Sequence, residues 1–380
     1  MKYFKNALVY VEGEGLKQCD LAFDKKILSI GEVSEGEVFE LPEDAIVLPG
    51  FIDEHIHGAG GSDAMDGTIE DLDIIAKTVA QEGTTSFLAT TMTQSPQNIT
   101  KAMEAVKEYR EKAPETGARV VGVHLEGPFI AAAHKGAQPL EYVAKPDIAV
   151  FDAYNKASGN CIKIVSLAPE EAGADTLIAH LAEQGIVASI GHTGAKSLDI
   201  RNAIKAGATN VTHTYNAQAP LHHREIGTVG SALLYDELRT ELIADGIHVS
   251  IPAMQLLAKC KPADKLVLIT DAMRAKGLAD GVSELGGQTV IVKNGEARLE
   301  DGTLAGSVLR MNNAVKNLVE KVGVAFLKAV DCATINPAKS LGIDKETGSI
   351  RVGKKADFVV LNKAYEVLYT IRDGKVIYSR

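Results

Sequence analysis

The sequence predicts an α/β protein: a (β/α)8 barrel of the TIM type with a small β-sandwich formed by both chain ends. Three observations carry this. Eight short apolar runs alternate with helical patterns through the middle of the chain. Both ends are strand-rich, with Gly-containing turns between the strands. Reactive side chains recur where the apolar runs stop, the end at which a parallel barrel gathers its working groups.

The ends come first. Ala7–Val11, Gln18–Phe23 and Lys26–Ile30 read as short strands, as do Asp357–Leu361, Val367–Ile371 and Lys375–Tyr378, the last two about an Arg372-Asp373-Gly374 turn. Two β-rich ends around a different middle predict one sandwich from residues 1–48 and 351–380. Residues 49–350 form the barrel. Its strands are expected at Ala45–Phe51, Thr85–Ala89, Val120–His124, Ile162–Leu167, Ile186–Ile190, Asn210–Thr212, Thr240–Ala244 and Leu266–Thr270.

Helical patterns lie between most of these. Leu72, Ile75, Ala76 and Val79 recur at helical spacing in Ile69–Gln81, and Ile99, Met103, Val106 and Tyr109 do so in Gln97–Lys112, behind a Ser95-Pro96 start signal. Ala174–Gln184, Ser197–Ala206 and Pro252–Cys260 repeat the theme, and Asn313–Ala338 supplies closing helices. One insertion, near 285–300, reads as a β-hairpin by its Asn294-Gly295 turn and lies near the presumed active face.

Bulk properties narrow the function. The 380 residues are 46% hydrophobic and 24% charged, a globular composition long enough for one large barrel and a small module. A net charge of −10 with no basic block argues against a nucleic-acid partner. Cys19, Cys161, Cys260 and Cys332 are scattered without a CxxC pair, which suits reduced thiols. The stretch MKYFKNALVYVEGEG has no signal-peptide core, and no apolar run approaches the ~18 residues of a membrane span. The expectation is a soluble, cytoplasmic protein with no membrane partner.

Six reactive groups fall at predicted strand ends. His55 and His57 follow the first strand and Glu126 ends the third. His192 follows the fifth, His213 ends the sixth and Asp271 follows the eighth. Imidazole and carboxylate are suitable ligands for Zn²⁺ or Fe²⁺. Residues i and i+2 of an extended chain share a side, so His55 and His57 make a sensible chelate. The plainer alternatives are two polar loop residues there, and a helix cap or structural anchor at Asp271.

Leu48-Pro49-Gly50-Phe51-Ile52-Asp53-Glu54-His55-Ile56-His57 and Gly353-Lys354-Lys355-Ala356-Asp357-Phe358-Val359 resemble the amidohydrolase superfamily. With HLEGPF, GHTGA, THTYNAQAP, ITDAM and TLAGS, the ordered set resembles the branch that deacetylates N-acetylglucosamine 6-phosphate, over essentially the whole chain. The resemblance implies a metal-dependent hydrolase barrel that releases glucosamine 6-phosphate and acetate. It implies that Glu126, His192 and His213 hold the main divalent ion, and that Asp271 is the general base on the attacking water and then the acid on the leaving amine. His55 and His57 are kept, so one tightly held ion and a weaker second, bridged by Glu126, are expected. No lysine sits at a matching strand end to bridge instead.

For the substrate, the resemblance implies phosphate contacts from Asn216 and the Ala217 backbone and a further contact from His248. Arg224 matches an arginine that reaches the neighbouring site across a homodimer. Leu304, Ala305 and Gly306 should line the sugar and acetyl pocket. Gln138 stands where some relatives carry histidine; it can hydrogen-bond a sugar hydroxyl or phosphate but supplies no cation. Plainer roles fall to His180 on a helix surface, His124 in the core or behind a ligand, His134 in a loop near substrate without ligating, and His222 and His223 in an exposed loop. Two rivals stay open: a cyclic amidase or deaminase of the same superfamily, and a catalytically dead scaffold of the same fold. The absent bridging lysine weighs against the first, the full ligand set against the second.

Overall fold

The computed structural model describes residues Met1–Arg380. Its centre is an eight-stranded, wholly parallel sheet rolled into a barrel. The strands are Phe51–Ile56, Thr84–Thr91, Arg119–Glu126, Ile162–Leu167, Val187–Ile190, Asn210–Val211, Arg239–Ile243 and Leu266–Ile269. They run in chain order around the ring. The ladder stops between the last strand and the first. There the seam is closed by the Asp271 N–H donating to the His55 carbonyl at 2.8 Å and by Asp53, which accepts from the Thr270 hydroxyl and its N–H. The C-terminal ends of these two strands are therefore fixed by the residues that carry the reactive groups.

The first strand departs from the expected Ala45–Phe51. Ile46–Pro49 belongs to the other large sheet, pairing with Leu8-Val9 and with Phe358–Leu361. The barrel strand begins after Gly50. A Cβ on Gly50 would lie 2.3 Å from the Thr85 side chain, so the chain crosses between the sheets where only glycine fits. One apolar run thus serves two sheets, which periodicity cannot divide.

Both chain ends build that second sheet. Lys2–Val11, Gly15–Phe23, Ile27–Ile30, Glu37–Phe39 and Ile46–Pro49 join Phe358–Leu361, Val367–Arg372 and Lys375–Ser379 in one hydrogen-bonded sheet. Its core is aromatic: Phe4, Phe23 and Phe358 pack with ring centroids 4.8 to 5.8 Å apart, beside Val9, Leu21, Val47 and Ile371.

The expected helices form at Ile69–Ala80, Pro96–Lys112, Ala174–Glu183, Ser197–Ala206 and Ile251–Cys260. The Ser95 hydroxyl accepts from the Asn98 N–H, with Pro96 in the first turn. Two more form beyond these, Ile148–Ala157, capped by Asp147, and Gly227–Leu234. The second is buried over seven of its eight positions, so it has no polar face to give a period. The closing segment is three helices, Met311–Asn317, Phe326–Cys332 and Ile335–Ser340, with a π turn at Leu318–Val322. The insertion has three strands rather than two, because Gly281–Leu285 pairs with Gln288–Lys293 through a Gly286-Gly287 turn. Leu285, Val290 and Ala297 pack it onto Met92 and Met273 beside the barrel mouth.

Candidate metal centre

Glu126 closes the third strand, and His192, His213 and Asp271 sit two residues past the fifth, sixth and eighth, respectively. The three loop residues have φ of +48°, +28° and +47°. Left-handed backbone costs a side-chain-bearing residue on the order of 1–2 kcal/mol. Three such residues at one barrel mouth mark a place where side-chain aim is held at the expense of backbone comfort.

The aim is convergent. Glu126 Oε1 lies 3.0 Å from His213 Nε2 and 3.1 Å from His192 Nε2, and the two Nε2 atoms are 3.1 Å apart. Ligands on a tetrahedral ion at about 2.0–2.1 Å stand roughly 3.3 Å apart, so this triangle has the size of one coordination face. On the other side of Glu126, His57 Nε2 is 3.3 Å from its Oε2 and 3.2 Å from Asp271 Oδ1. His55 Nε2 is 3.5 Å from Glu126 Oε1 and 3.4 Å from Asp271 Oδ1. It is buried without a hydrogen-bond partner. The centre is therefore two groups of three, Glu126–His192–His213 and His55–His57–Asp271, with Glu126 facing both.

The far ring nitrogens explain the orientation. His57 Nδ1 lies 3.2 Å from the Thr90 carbonyl, His192 Nδ1 2.9 Å from the His134 carbonyl, and His55 Nδ1 3.0 Å from Glu241 Oε2. Each of these three outer nitrogens donates, which leaves those Nε2 lone pairs pointing inward, whereas His213 Nδ1 is buried without a partner. Donor type, tautomer and spacing all fit a divalent ion.

The electrostatics ask for positive charge. Burial would raise Glu126, but His55, His192, His213 and His57 hold its carboxyl well below the usual range. Against burial, His55 and His57 draw Asp271 down to about 2. Burial opposes charge on His57, yet the Asp271 and Glu126 carboxylates raise it well above the ordinary imidazole value. The same contest, with Asp271 and Glu126 again outweighing burial, brings His55 to about 9. Two buried, ionised carboxylates thus draw protons onto the His55 and His57 rings, and a bound cation supplies the same charge.

A cavity of about 320 Å³ opens over the centre, at the small end of ligand sites. Gln138, Asn216, Ala217, His248, Leu304 and Gly306 line it, as do the side chains of both groups of three other than His55. Asp245 fixes His248 through Nδ1 at 2.6 Å, and Asn216 is tied back to the His213 carbonyl at 3.2 Å. Gly306 has φ +63°, and a Cβ there would come 3.1 Å from the Asp271 carbonyl. Ala305 corrects the reading: between two lining residues it faces the other way, fully buried in the apolar cluster of Met92, Met273 and Leu285. Gln138 touches more than the cavity, donating to Glu126 Oε2 at 2.8 Å. Arg224 is exposed, hydrogen-bonds back to His223 Nε2 at 2.8 Å, and does not reach the cavity of its own chain.

The remaining histidines divide. His124 is buried behind His55, and His134 borders the cavity without joining either group. His180 sits on its helix paired with Asp152, and His222 and His223 are exposed. Burial, with His55 beside it, pushes His124 well below the ordinary value, so it stays neutral. Sequence reasoning missed Glu241, Thr90, Met92 and Leu285. Glu241 carried a usable signal, a lone carboxylate inside an apolar strand, the same one that singles out Glu126. A larger cavity of about 440 Å³ lies at the barrel's opposite end. Of its three arginines, Arg119 and Arg372 are spent on Asp357, Asp373 and the Gly117 and Pro114 carbonyls.

Comparison with known proteins adds four findings. The amidohydrolase family model matches residues 46–377. The N-acetylglucosamine-6-phosphate deacetylase of Bacillus subtilis is 44% identical over 381 residues, covering 98% of this chain and 96% of that one. Among solved structures, the N-acetylglucosamine-6-phosphate deacetylase of Pasteurella multocida superposes with a TM-score of 0.93 at 30% identity over 100% of both chains. A mutant of the Mycobacterium smegmatis enzyme of that name, in complex with N-acetyl-D-glucosamine-6-phosphate, superposes at 0.91 with 29% identity over 100% of this chain and 99% of the other.

Proposed function

This chain belongs to the amidohydrolase family, and we propose that within it the chain hydrolyses the acetamide of N-acetyl-D-glucosamine 6-phosphate to D-glucosamine 6-phosphate and acetate. The observation that carries the reading is the triangle of Glu126, His192 and His213, with Asp271 across from it on the cavity wall. A divalent ion, Zn²⁺ or Fe²⁺, would be held by Glu126, His192 and His213, where it would activate a water and polarise the acetamide carbonyl. His55 and His57 would hold a second, weaker one.

The protein's own part is proton transfer and placement. Asp271 is ionised, buried and aimed into the cavity, as a base must be. It takes a proton from the attacking water as the C–O bond forms. It returns that proton to the amide nitrogen as the C–N bond breaks, so the amine leaves neutral. Leu304 and Gly306 back the sugar and acetyl group, and Gln138 keeps Glu126 in plane. Asn216, the Ala217 backbone and His248 face the phosphate.

The cavity wall carries no lysine or arginine. A phosphate dianion needs a cation, and Arg224, exposed at the tip of its loop, supplies it to the cavity of a second copy. The working form in this reading is a homodimer. Four free cysteines accord with a cytoplasmic setting, and no helix is long and apolar enough to cross a membrane. Residues 49–350 do the chemistry, and 1–48 with 351–380 make the supporting sandwich.

The test is acetate release from N-acetylglucosamine 6-phosphate beside unphosphorylated N-acetylglucosamine, with metal content measured on the same sample. Release from the phosphorylated sugar alone is the expected result. Equal turnover of both removes the phosphate roles of Arg224 and His248, and no turnover by a metal-replete sample sinks the deacetylase reading.

A further inference from the structure

Several buried carboxylates are unused by that chemistry, and one of them, Glu241, touches both halves of the centre. Glu241 lies in the seventh barrel strand, between Thr240 and Leu242, and is 1% exposed. It does not line the cavity. A carboxylate buried this deeply costs several kcal/mol unless its oxygens are met by donors. One oxygen is met twice: Oε2 accepts from His55 Nδ1 at 3.0 Å and from the His213 backbone N–H at 3.0 Å. The other, Oε1, is buried without a partner. The Glu241 carbonyl also takes the Thr214 N–H at 2.9 Å. From one strand, this residue grips a ligand of each half of the centre.

Its neighbours leave His55 nowhere to turn. The His55 ring packs edge-on against His124, with centroids 4.5 Å apart at 73°. His124 is itself pinned by Ser166 Oγ at 2.7 Å and the Glu54 carbonyl at 3.2 Å. With Glu241 on Nδ1, the only free direction for the His55 lone pair is toward Glu126 and Asp271. At His213 the same oxygen anchors a backbone held at φ +28°.

We propose that Glu241 is a positioning residue that locks His55 and the His213 turn together, so that the two halves of the centre take up divalent ions as a coupled pair. This rests on the two-ion reading. A carboxylate on the outer nitrogen fixes the ring and strengthens its inner nitrogen as a donor. Loss of such a partner typically lowers metal affinity about 10–100-fold.

The experiment is a stepwise Zn²⁺ titration of the ion-free protein against a competing chelator, with thermal melts of each ion-free variant. It compares wild type, E241Q, E241A, H55A and E241Q/H55A. Wild type should bind two ions. E241Q keeps an acceptor for both N–H groups without the charge, and should weaken the second step by about 10-fold. E241A should lose the second step and weaken the first. E241Q/H55A should bind like H55A alone, because Glu241 acts on the second ion through His55. A general packing defect would instead lower both steps and the melting temperature in E241Q as well. That outcome, unaltered affinities in a folded E241Q, or additive losses in the double variant would overturn the role of Glu241 while leaving two ions in place. A wild type that binds a single ion, unchanged in H55A, would overturn the two-ion reading and this inference with it. If E241A does not fold, E241Q and the double variant still decide.

Discussion

Gln138 holds Glu126 by a single amide: its Nε2 donates to Glu126 Oε2 at 2.8 Å while its Oε1 accepts the Thr93 N–H at 2.6 Å. The side chain is buried and cannot swing away without stranding both partners. It therefore fixes the carboxylate plane that faces both histidine pairs, in addition to bordering the cavity.

Gln138→Ala should leave the main ion bound and lower kcat by about 10-fold, the worth of one hydrogen bond to a charged group. Parallel kcat and metal measurements check this. A variant with unchanged kcat, or one whose loss lies wholly in KM, would return Gln138 to simple substrate contact.

Asp271→Asn keeps the shape of the carboxylate and removes its basicity. Turnover should fall by roughly 10²- to 10⁴-fold with substrate binding retained. Steady-state kinetics with metal content on the same preparation distinguish this from ligand loss, since a variant that has lost its main ion says nothing of a base. Near-native turnover at full metal would assign the proton transfer elsewhere.

The Arg224 reading predicts complementation. Arg224→Ala and Asp271→Asn proteins, each inactive alone, should regain activity when unfolded and refolded together. Random pairing places a native Arg224 opposite a native Asp271 at one site of each mixed dimer, so recovery approaches roughly a quarter of the wild-type rate. A mixture as inactive as its parts would place Arg224 outside the neighbour's site.

Lys261 gives a stability prediction away from the site. Its ammonium is buried against the Tyr235 carbonyl at 2.7 Å, and burial pushes it down to about 8. The unfolded chain has it near about 10.4. Below about 8 the lysine is charged in both states and the folded state bears the full penalty; the penalty fades as pH rises to about 10.4. Wild type should therefore gain about 1–2 kcal/mol relative to Lys261→Met across that window, allowing for solvent screening. Urea melts of both proteins at either end of the window measure it, and a constant difference would contradict it.

Much of this was readable before the fold. The eight-fold alternation and the reactive strand ends follow from local pattern, and the six reactive groups expected at strand ends meet at one mouth. What escaped was tertiary. The Ala45–Phe51 run reads as one strand because the division at Gly50 depends on Thr85 from another strand. Gly227–Leu234 hides because it is buried nearly all round. Ala305 was misplaced by treating three consecutive residues as one wall, although neighbours on an extended chain face opposite ways. Glu241 was passed over because its partners lie 186 and 28 residues away.

The terminal sheet imposes an order on synthesis. Ile46–Pro49 is flanked by Lys2–Val11 on one side and Phe358–Leu361 on the other. A ribosome makes the first flank at once and the second only after more than 300 further residues. Until then Phe4 and Phe23 have no Phe358 to cover them, and the exposed edge of Ile46–Pro49 is open to wrong pairing. The emerging chain must carry an unfinished, sticky sheet through the whole translation of the barrel. That is the interval in which a chaperone, or slower decoding, would most alter its yield.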